Sequence, residues 1–529
     1  MPYFDRVQNF AFFVSPARSG HSVIGQLLSA HPDVIFSDEL GVVTKIDEGY
    51  SADQVFALIR AQDLHLQNRG RAKSGYDYRV DGAWQNVTNK HPVTIGDAKG
   101  ARATAMLATN AAFADKIRAS VGVPIRAIVH LRDPFDIVGS RVKRRGRKLD
   151  DAILGIRGIH DSVVAALATL REEERLIQYH EDVIADPVAA FERMFAFLGV
   201  EPNDQAVQAC AGKLWSRPHA ARKATDWPDD AVAELRDLID RSPILGRYTD
   251  PPAVDLSKAP VAPPGPTPPA RPREDDQTGY FDRLDRFTLM LSPQTRGCGK
   301  LALTLSQHPD LLISNELSDE LDRRGCLLEP FSRGQLLAIL KHQGFRQLAR
   351  QRKVTDDKRR SGQVYRSIQD QSPTSMGAVL GESTIHALAR DPGLMDELAD
   401  RLGVPIRVVC YFRPRRQADD FRKMRPRRAA VGQSLEASMH AIHERFAAED
   451  RLLVSFDELA RGPAKGFGDL FDWLGVEPNN AAIKACVQWF KADPKTYAAR
   501  KPWWLKPAQA IKRRVKRFRG HTGKAGPRT

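Results

Sequence analysis

FAFFVSPARSGHSVIGQLLSAH, from Phe10 to His31, is the stretch from which the rest of the chain can be read. Its apolar start, Phe10 to Val14, reads as a short buried strand. SPARSGHS follows, a turn of small and polar residues. Val23, Ile24, Leu27 and Leu28 then fall at helical spacing, on a helix ending near His31. A strand, a tight loop and a helix in this order aim backbone N–H groups outward at a helix N-terminus. Those donors and the helix dipole make an anion site, most often for phosphate. Gly20 lets the backbone approach a ligand closely, and Arg18 adds a fixed positive charge. The loop is not a Walker A motif, because it has no Gly-x-x-x-x-Gly-Lys-Ser/Thr run.

The same stretch is written twice. SPARSGHSVIGQLLSAHPDVIFSDEL from Ser15 aligns without a gap to SPQTRGCGKLALTLSQHPDLLISNEL from Ser292. GVPIRAIVHLR at Gly122 is repeated as GVPIRVVCYFR at Gly403. LGVEP recurs at Leu198 and Leu474, and AARK at Ala220 and Ala498, each AARK followed by a tryptophan, Trp227 and Trp504. Order and spacing are preserved, so a whole domain is duplicated in tandem. The expected boundaries are 1–248 for the first copy, 249–279 for a Pro-rich, semi-rigid linker, 280–505 for the second copy and 506–529 for a basic tail.

Within the first copy, strands are expected at 34–36, 93–95, 125–131 and 176–179. Helices are expected around 52–61, from near 137, over 161–174 and over 187–198. This alternation predicts an α/β fold with a parallel sheet, whose ligands bind beyond the carboxyl ends of the strands. The stretch from Gln67 to Asn89 is polar, rich in Gly, Arg and Tyr, and carries no core pattern. It is expected to help choose a substrate.

A second motif, HLRDPFDIVGSRVKRR, spans His130 to Arg145. Arg132 at a strand end and Ser140 in the following helix can converge on one phosphate, the first through a rigid donor fork and the second through its hydroxyl.

Together the two motifs resemble those of sulfotransferases, which use 3′-phosphoadenosine-5′-phosphosulfate (PAPS) as sulfuryl donor and release PAP. The family's 5′-phosphosulfate loop often reads Lys/Arg-Ser-Gly-Thr/Ser-Thr/Ser. Here it reads Arg18, Ser19, Gly20, His21, Ser22, with His21 departing from the usual hydroxyl residue. The family's 3′-phosphate motif, Arg-Asp/Asn-Pro-x-Asp/Glu-x-x-x-Ser, is matched by Arg132, Asp133, Pro134, Asp136 and Ser140. QYHEDVIADPVAAFERMFAFLGVEP, from Gln178, is similar to the family's strand–helix segment. Arg222 and Lys223 resemble its late basic segment, which closes on the 3′-phosphate. The resemblance covers nearly all of the first copy. It implies a P-loop-NTPase-like three-layer α/β sandwich, present twice, with PAPS as cofactor and no metal.

In-line transfer of a sulfuryl group to a hydroxyl or amine needs a base, positive charge at the leaving oxygen and a well-held acceptor. Arg18 and the Ser19–Ser22 backbone suit the second role. Glu39, after the second strand, is the expected base, with His91 and Asp38 as alternatives. Lys99, in GDAKG, resembles a family lysine displaced by one residue, a substrate or leaving-group contact. The acceptor is open; a saccharide or lipid is expected. Two other readings stand beside this one: a nucleotide-dependent kinase of related fold, which the missing Walker lysine disfavours, and a silent PAP- or polyanion-binding protein.

The second copy keeps the fold signals and loses the ligands. Thr295 stands where Arg18 does, Arg296 where Ser19 does, Pro414 replaces Asp133 and Phe421 replaces Ser140, while Glu316 matches Glu39. A phenylalanine cannot bind phosphate, so this copy is expected to be a degenerate pseudo-domain.

Composition sets the remaining bounds. The net charge of +15 suits a polyanionic ligand. Lys506 to Thr529 holds nine Lys or Arg and no acid, with Ile511, Val515 and Phe518 on one helical face, a pattern suited to an anionic membrane surface. No nucleic-acid motif is present. Five scattered cysteines and no apparent signal or transmembrane segment predict a cytoplasmic protein without a metal site.

Overall fold

The structure is a computed structural model that describes residues 4–38, 40–69, 71–73, 76–80, 83–86, 90–214, 221–249, 280–292, 295–315, 327, 331–351, 373–412 and 426–492. The basic tail, Glu39, Glu316, Arg413, Pro414, Phe421 and nearly all of the expected linker lie outside these residues.

The first copy contains β1 (Asn9–Val14), α1 (His21–Leu28), β2 (Val34–Ser37), α2 (Val42–Asp47), α3 (Ala52–Arg69), β3 (Ala72–Lys73), β4 (Tyr76–Asp77), β5 (Thr94–Asp97), α4 (Gly100–Thr109), α5 (Phe113–Val121), β6 (Ile125–Leu131), α6 (Pro134–Arg145), α7 (Leu149–Ala168), β7 (Arg175–Tyr179), α8 (His180–Ala185), α9 (Pro187–Phe197), α10 (Asp204–Lys213) and α11 (Asp229–Arg241). Its sheet is parallel, in the order β2-β5-β1-β6-β7. The second copy has β8 (Arg286–Leu291), α12 (Thr295–Leu305), β9 (Leu311–Asn315), α13 (Arg333–Gln351), β10 (Ser375–Val379), β11 (Ile406–Phe412) and β12 (Arg451–Ser455). Its sheet, read in the same direction, runs β9-β10-β8-β11-β12. Strand for strand the two orders are the same, so the duplication extends to topology.

β1 sits at the centre, paired with β5 and β6; Ala11 lies opposite both Gly96 and Arg126. Its apolar run is read out on two faces. Phe10, Phe12 and Val14 enter one core with residues of α3, α4 and α7, whereas Ala11 and Phe13 enter another with residues of α1, α9 and α10. Helices therefore cover both faces, giving three layers. Phe10, Phe12 and Phe13 are essentially inaccessible, and each such side chain is worth about 1.5–3 kcal/mol of burial. The first of these cores continues without a break into the second copy, through Phe287, Leu289 and Leu291.

Several expected boundaries move. The helix expected from Ile137 begins at Pro134, because Asp133 caps it by accepting from Phe135 N–H at 2.9 Å and proline suits the first turn. The helix expected over 161–174 is α7, which starts at Leu149 and ends at Ala168. The stretch from Gln67 to Asn89, which carried no core pattern, is partly buried: Arg71, Tyr78, Val80 and Gln85 are all inside. Arg71 donates to Gln26 Oε1 at 2.8 Å, to the Gln85 carbonyl at 2.9 Å and to Asp63. This burial is polar, and a hydrophobic period does not register it.

Candidate functional site

The loop between β1 and α1 has an unusual backbone. Arg18 has φ 83° and Gly20 φ 107°. A left-handed conformation at a non-glycine residue costs about 1–2 kcal/mol, so Arg18 is held there by its surroundings. Gly20 is the N-cap of α1 and supplies no side-chain cap. Its lack of a side chain is required twice, by its φ and because a Cβ would lie 2.7 Å from His180 Nδ1.

The second motif meets this loop directly. β6 and β1 run in parallel, so Arg132 emerges beside the loop and α6 carries Ser140 over it. Arg18 Nε donates to Ser140 Oγ at 3.1 Å, and Arg132 Nη1 donates to the Arg18 carbonyl at 3.3 Å. Two guanidinium groups and one hydroxyl from separate segments thus share one place at the carboxyl end of the sheet. Arg132 and Ser140 are mostly buried, each 7% exposed, which strengthens their pull on an anion.

Beneath the loop lie three histidines. His21 Nδ1 is 2.8 Å from Ser15 Oγ and 3.1 Å from Ser19 Oγ. His130 Nε2 is 3.4 Å from His180 Nδ1. Burial holds His130 well below the ordinary imidazole value, helped by His180, His21 and Arg132. His180 is pushed down to about 3, by burial first and then by Arg132. Both rings are therefore neutral at physiological pH. Neither His130 nor His180 stood out in the sequence as part of the site. The signal was there: His130 is the last residue but one of β6 and His180 directly follows β7, in H-L-R and Y-H-E-D.

The late basic segment closes onto α6. Arg222 Nη2 contacts Asp133 Oδ2 at 2.5 Å and Asp136 Oδ2 at 3.2 Å, and its backbone N–H donates to Asp136 Oδ1 at 3.0 Å. Asp133 is raised by burial, against the pull of Arg222. Trp227 Nε1 donates to the Arg222 carbonyl at 2.9 Å and packs edge-on against Phe135. Gly139 permits this approach, since a Cβ there would lie 2.8 Å from the Ala221 carbonyl. Lys223 is exposed beside it.

At the other side of the loop, Asp38 is buried at the end of β2 and Lys99 is half-buried at the N-cap of α4, just after β5. Asp97 accepts from Ser37 Oγ at 2.8 Å and from the N–H groups of Leu40, Gly41 and Val42 at 3.0, 2.7 and 3.2 Å. Burial raises this carboxyl, and these hydrogen bonds oppose the rise. Asp97 therefore pins the chain immediately after Glu39. The expectation for His91 is not met by proximity. It is exposed and precedes β5, at the amino end of a parallel strand, whereas Gly20 lies at the carboxyl ends. Among the described residues no group of three or more His, Cys, Asp or Glu is arranged to hold a metal ion.

Comparison with known proteins finds likeness only in structure. No family model matches the sequence, and no curated protein matches it. The chain is similar to the sulfotransferase domain of the Synechococcus PCC 7002 olefin synthase, at 13% identity and TM-score 0.30, over 44% of this chain and 93% of that one. It is similar to the sulfotransferase domain of the curacin biosynthetic pathway, at 12% identity and TM-score 0.29, over 45% and 98%. It is also similar to a sulfotransferase from Alicyclobacillus acidocaldarius, at 16% identity and TM-score 0.27, over 45% and 94%. These are distant likenesses of fold. No helix among the described residues is long and apolar enough to cross a membrane.

Proposed function

We propose that the chain is a sulfotransferase that uses PAPS, with its working site in the first copy. The observation that carries this reading is the convergence of Arg18, Arg132 and Ser140, which joins the anion loop and the R-D-P motif into one phosphate-binding surface. PAPS, when bound, supplies an activated sulfuryl group.

The chain's own residues divide the work. Ser19 to Ser22, at the start of α1, and Arg18 hold the 5′ end and counter the charge that grows on the leaving oxygen. Arg132 and Ser140 hold the 3′-phosphate, with the exposed Lys223 of the late segment as a further cation. Arg222 positions that segment through Asp133 and Asp136. Glu39 takes the acceptor proton, with Asp38 as the second candidate, and Asp97 holds the backbone of Leu40 to Val42 that follows in sequence. Lys99 lies at the same end of β5 and suits a contact to the acceptor or leaving group. The acceptor is a hydroxyl or amine of a saccharide or lipid, and the reaction is cytoplasmic, with the basic tail resting on an anionic membrane face. A silent PAP-binding chain is the second reading, favoured by one observation: His21 engages the Ser15 and Ser19 hydroxyls where the family usually has a hydroxyl residue.

The test is PAP release from PAPS over a panel of saccharide and lipid acceptors, beside PAP titration. Turnover that disappears in Glu39→Gln while PAP still binds supports the enzyme. PAP binding with no turnover over the panel supports the silent reading, and binding of neither PAP nor PAPS contradicts both.

A further inference from the structure

The two copies touch through the same helix of each. Ser51 immediately precedes α3; its N–H donates to Gln54 Oε1 at 3.0 Å while Gln54 N–H donates to Ser51 Oγ at 3.3 Å. Ser332 immediately precedes α13; its N–H donates to Gln335 Oε1 at 2.9 Å while Gln335 N–H returns to Ser332 Oγ at 3.3 Å. These reciprocal caps are the same device and fix the correspondence of the helices. Tyr50 then matches Phe331, and Arg60 matches Lys341. Each helix packs on the equivalent strand of its own sheet, α3 on β2 and α13 on β9, and the two helices pack on one another. Contact of an element with its own counterpart is the pattern of an isologous interface, as in a two-fold dimer.

The chemistry of the contact agrees. Val55, Phe56 and Ile59 of α3 and Leu336, Leu337 and Leu340 of α13 are fully buried in one continuous core. Lys341, 7% exposed, crosses it. Its ammonium sits 3.4 Å from the ring centre of Tyr280 and 5.8 Å from that of Phe281 in its own copy, and 4.9 Å from that of Tyr50 in the other. A largely buried ammonium against aromatic faces is favoured by rings of both copies, so Lys341 makes the contact specific as well as apolar. On the other side, Arg60 is buried and donates to Asp63 Oδ2 at 2.8 Å; Asp63 also binds Arg71, which reaches Gln26 of α1. The interface is thereby tied to the helix that carries the anion loop.

We infer that the second copy is the tethered partner subunit of the first. The chain is an internal dimer, joined through α3 and α13 and closed by Lys341 in a cage of Tyr50, Tyr280 and Phe281. This assignment rests on no assumption about the ligand.

The experiment uses the full chain with a protease site placed within 251–279, cut after purification and followed by gel filtration and far-ultraviolet circular dichroism. The cut fragments are expected to co-elute at the size of the intact chain with unchanged helical signal. Lys341→Glu, and separately Tyr50→Ala on the opposite copy, are expected to abolish co-elution, while Leu453→Ala, at an exposed strand position, leaves it intact. Separation of the cut wild-type chain into two folded fragments overturns the inference. So does co-elution that survives both Lys341→Glu and Tyr50→Ala.

Discussion

Histidines set the two copies apart. His31 and His308 occupy equivalent places and do the same thing. Each has Nε2 at a backbone carbonyl, of Glu201 at 2.9 Å and of Glu477 at 2.8 Å, and each accepts at Nδ1 from the backbone two residues on. Each ring packs against a phenylalanine, Phe195 at 4.8 Å and Phe471 at 4.9 Å. The three histidines under the first loop have no such counterparts. At the positions of His21, His130 and His180 the second copy has Cys298, Tyr411 and Phe456, all buried in one apolar cluster. A residue shared by both copies serves the fold. Polar groups kept in one copy only, and converted to core in the other, mark a site. Among the described residues, His130 Nδ1 and His180 Nε2 of the first copy are buried without a hydrogen-bond partner, which is a destabilising arrangement.

The comparison can be broken most forcefully at the phosphate motif. Arg132→Ala is expected to weaken PAP binding by about 10- to 100-fold, the worth of a charge-assisted hydrogen bond, while Arg413→Ala in the second copy leaves it unchanged; isothermal calorimetry reads both. Gly20→Ala comes next. Its φ of 107° and the close His180 ring should cost about 1–3 kcal/mol of stability and most of the PAP affinity, visible as a lower Tm and a flat titration. His31→Ala and His308→Ala sharpen the structural side. Each should destabilise by about 1–3 kcal/mol in denaturant melts, and by similar amounts, with PAP binding untouched at 25 °C.

The smallest effect is on pH dependence. His180 titrates near 3 when folded, against an ordinary value of 6.5, so between these values the unfolded chain binds more protons than the folded one. Its contribution is complete above pH 6.5 and is lost as pH falls toward 3. His180→Phe, which installs the second copy's residue, should flatten the decline of Tm over pH 6.5 to 4. An unchanged slope would mean that the ring is not buried neutral beneath the loop.

Much of this was legible in the chain. An all-apolar β1, helical spacing in α1 and a repeat with preserved order led to two parallel α/β units, because burial on both faces leaves a plain hydrophobic signature. β6 was read at its observed limits, Ile125 to Leu131. The loop and R-D-P motif were legible as separate phosphate signals, and the structure adds their contact through Arg18 and Ser140. What was hidden is polar and long-range. Arg71 and Gln85 are buried by hydrogen bonds rather than by hydrophobicity. Asp97 acts across a strand pair on residues 40–42, a relation that local spacing cannot express. The histidine floor is assembled from α1, β6 and α8, and His91 lost its place because a parallel strand carries its two ends to opposite sides of the sheet.

The central claim is that one copy binds and the other supports. Calorimetric titration of the full chain with PAP, with ADP and ATP as controls, tests it most directly. The account predicts about one PAP per chain, preferred over ADP and ATP, and abolished or strongly weakened by Arg132→Ala or Ser140→Ala. Binding of two PAP per chain, or of one that survives both substitutions, would contradict it.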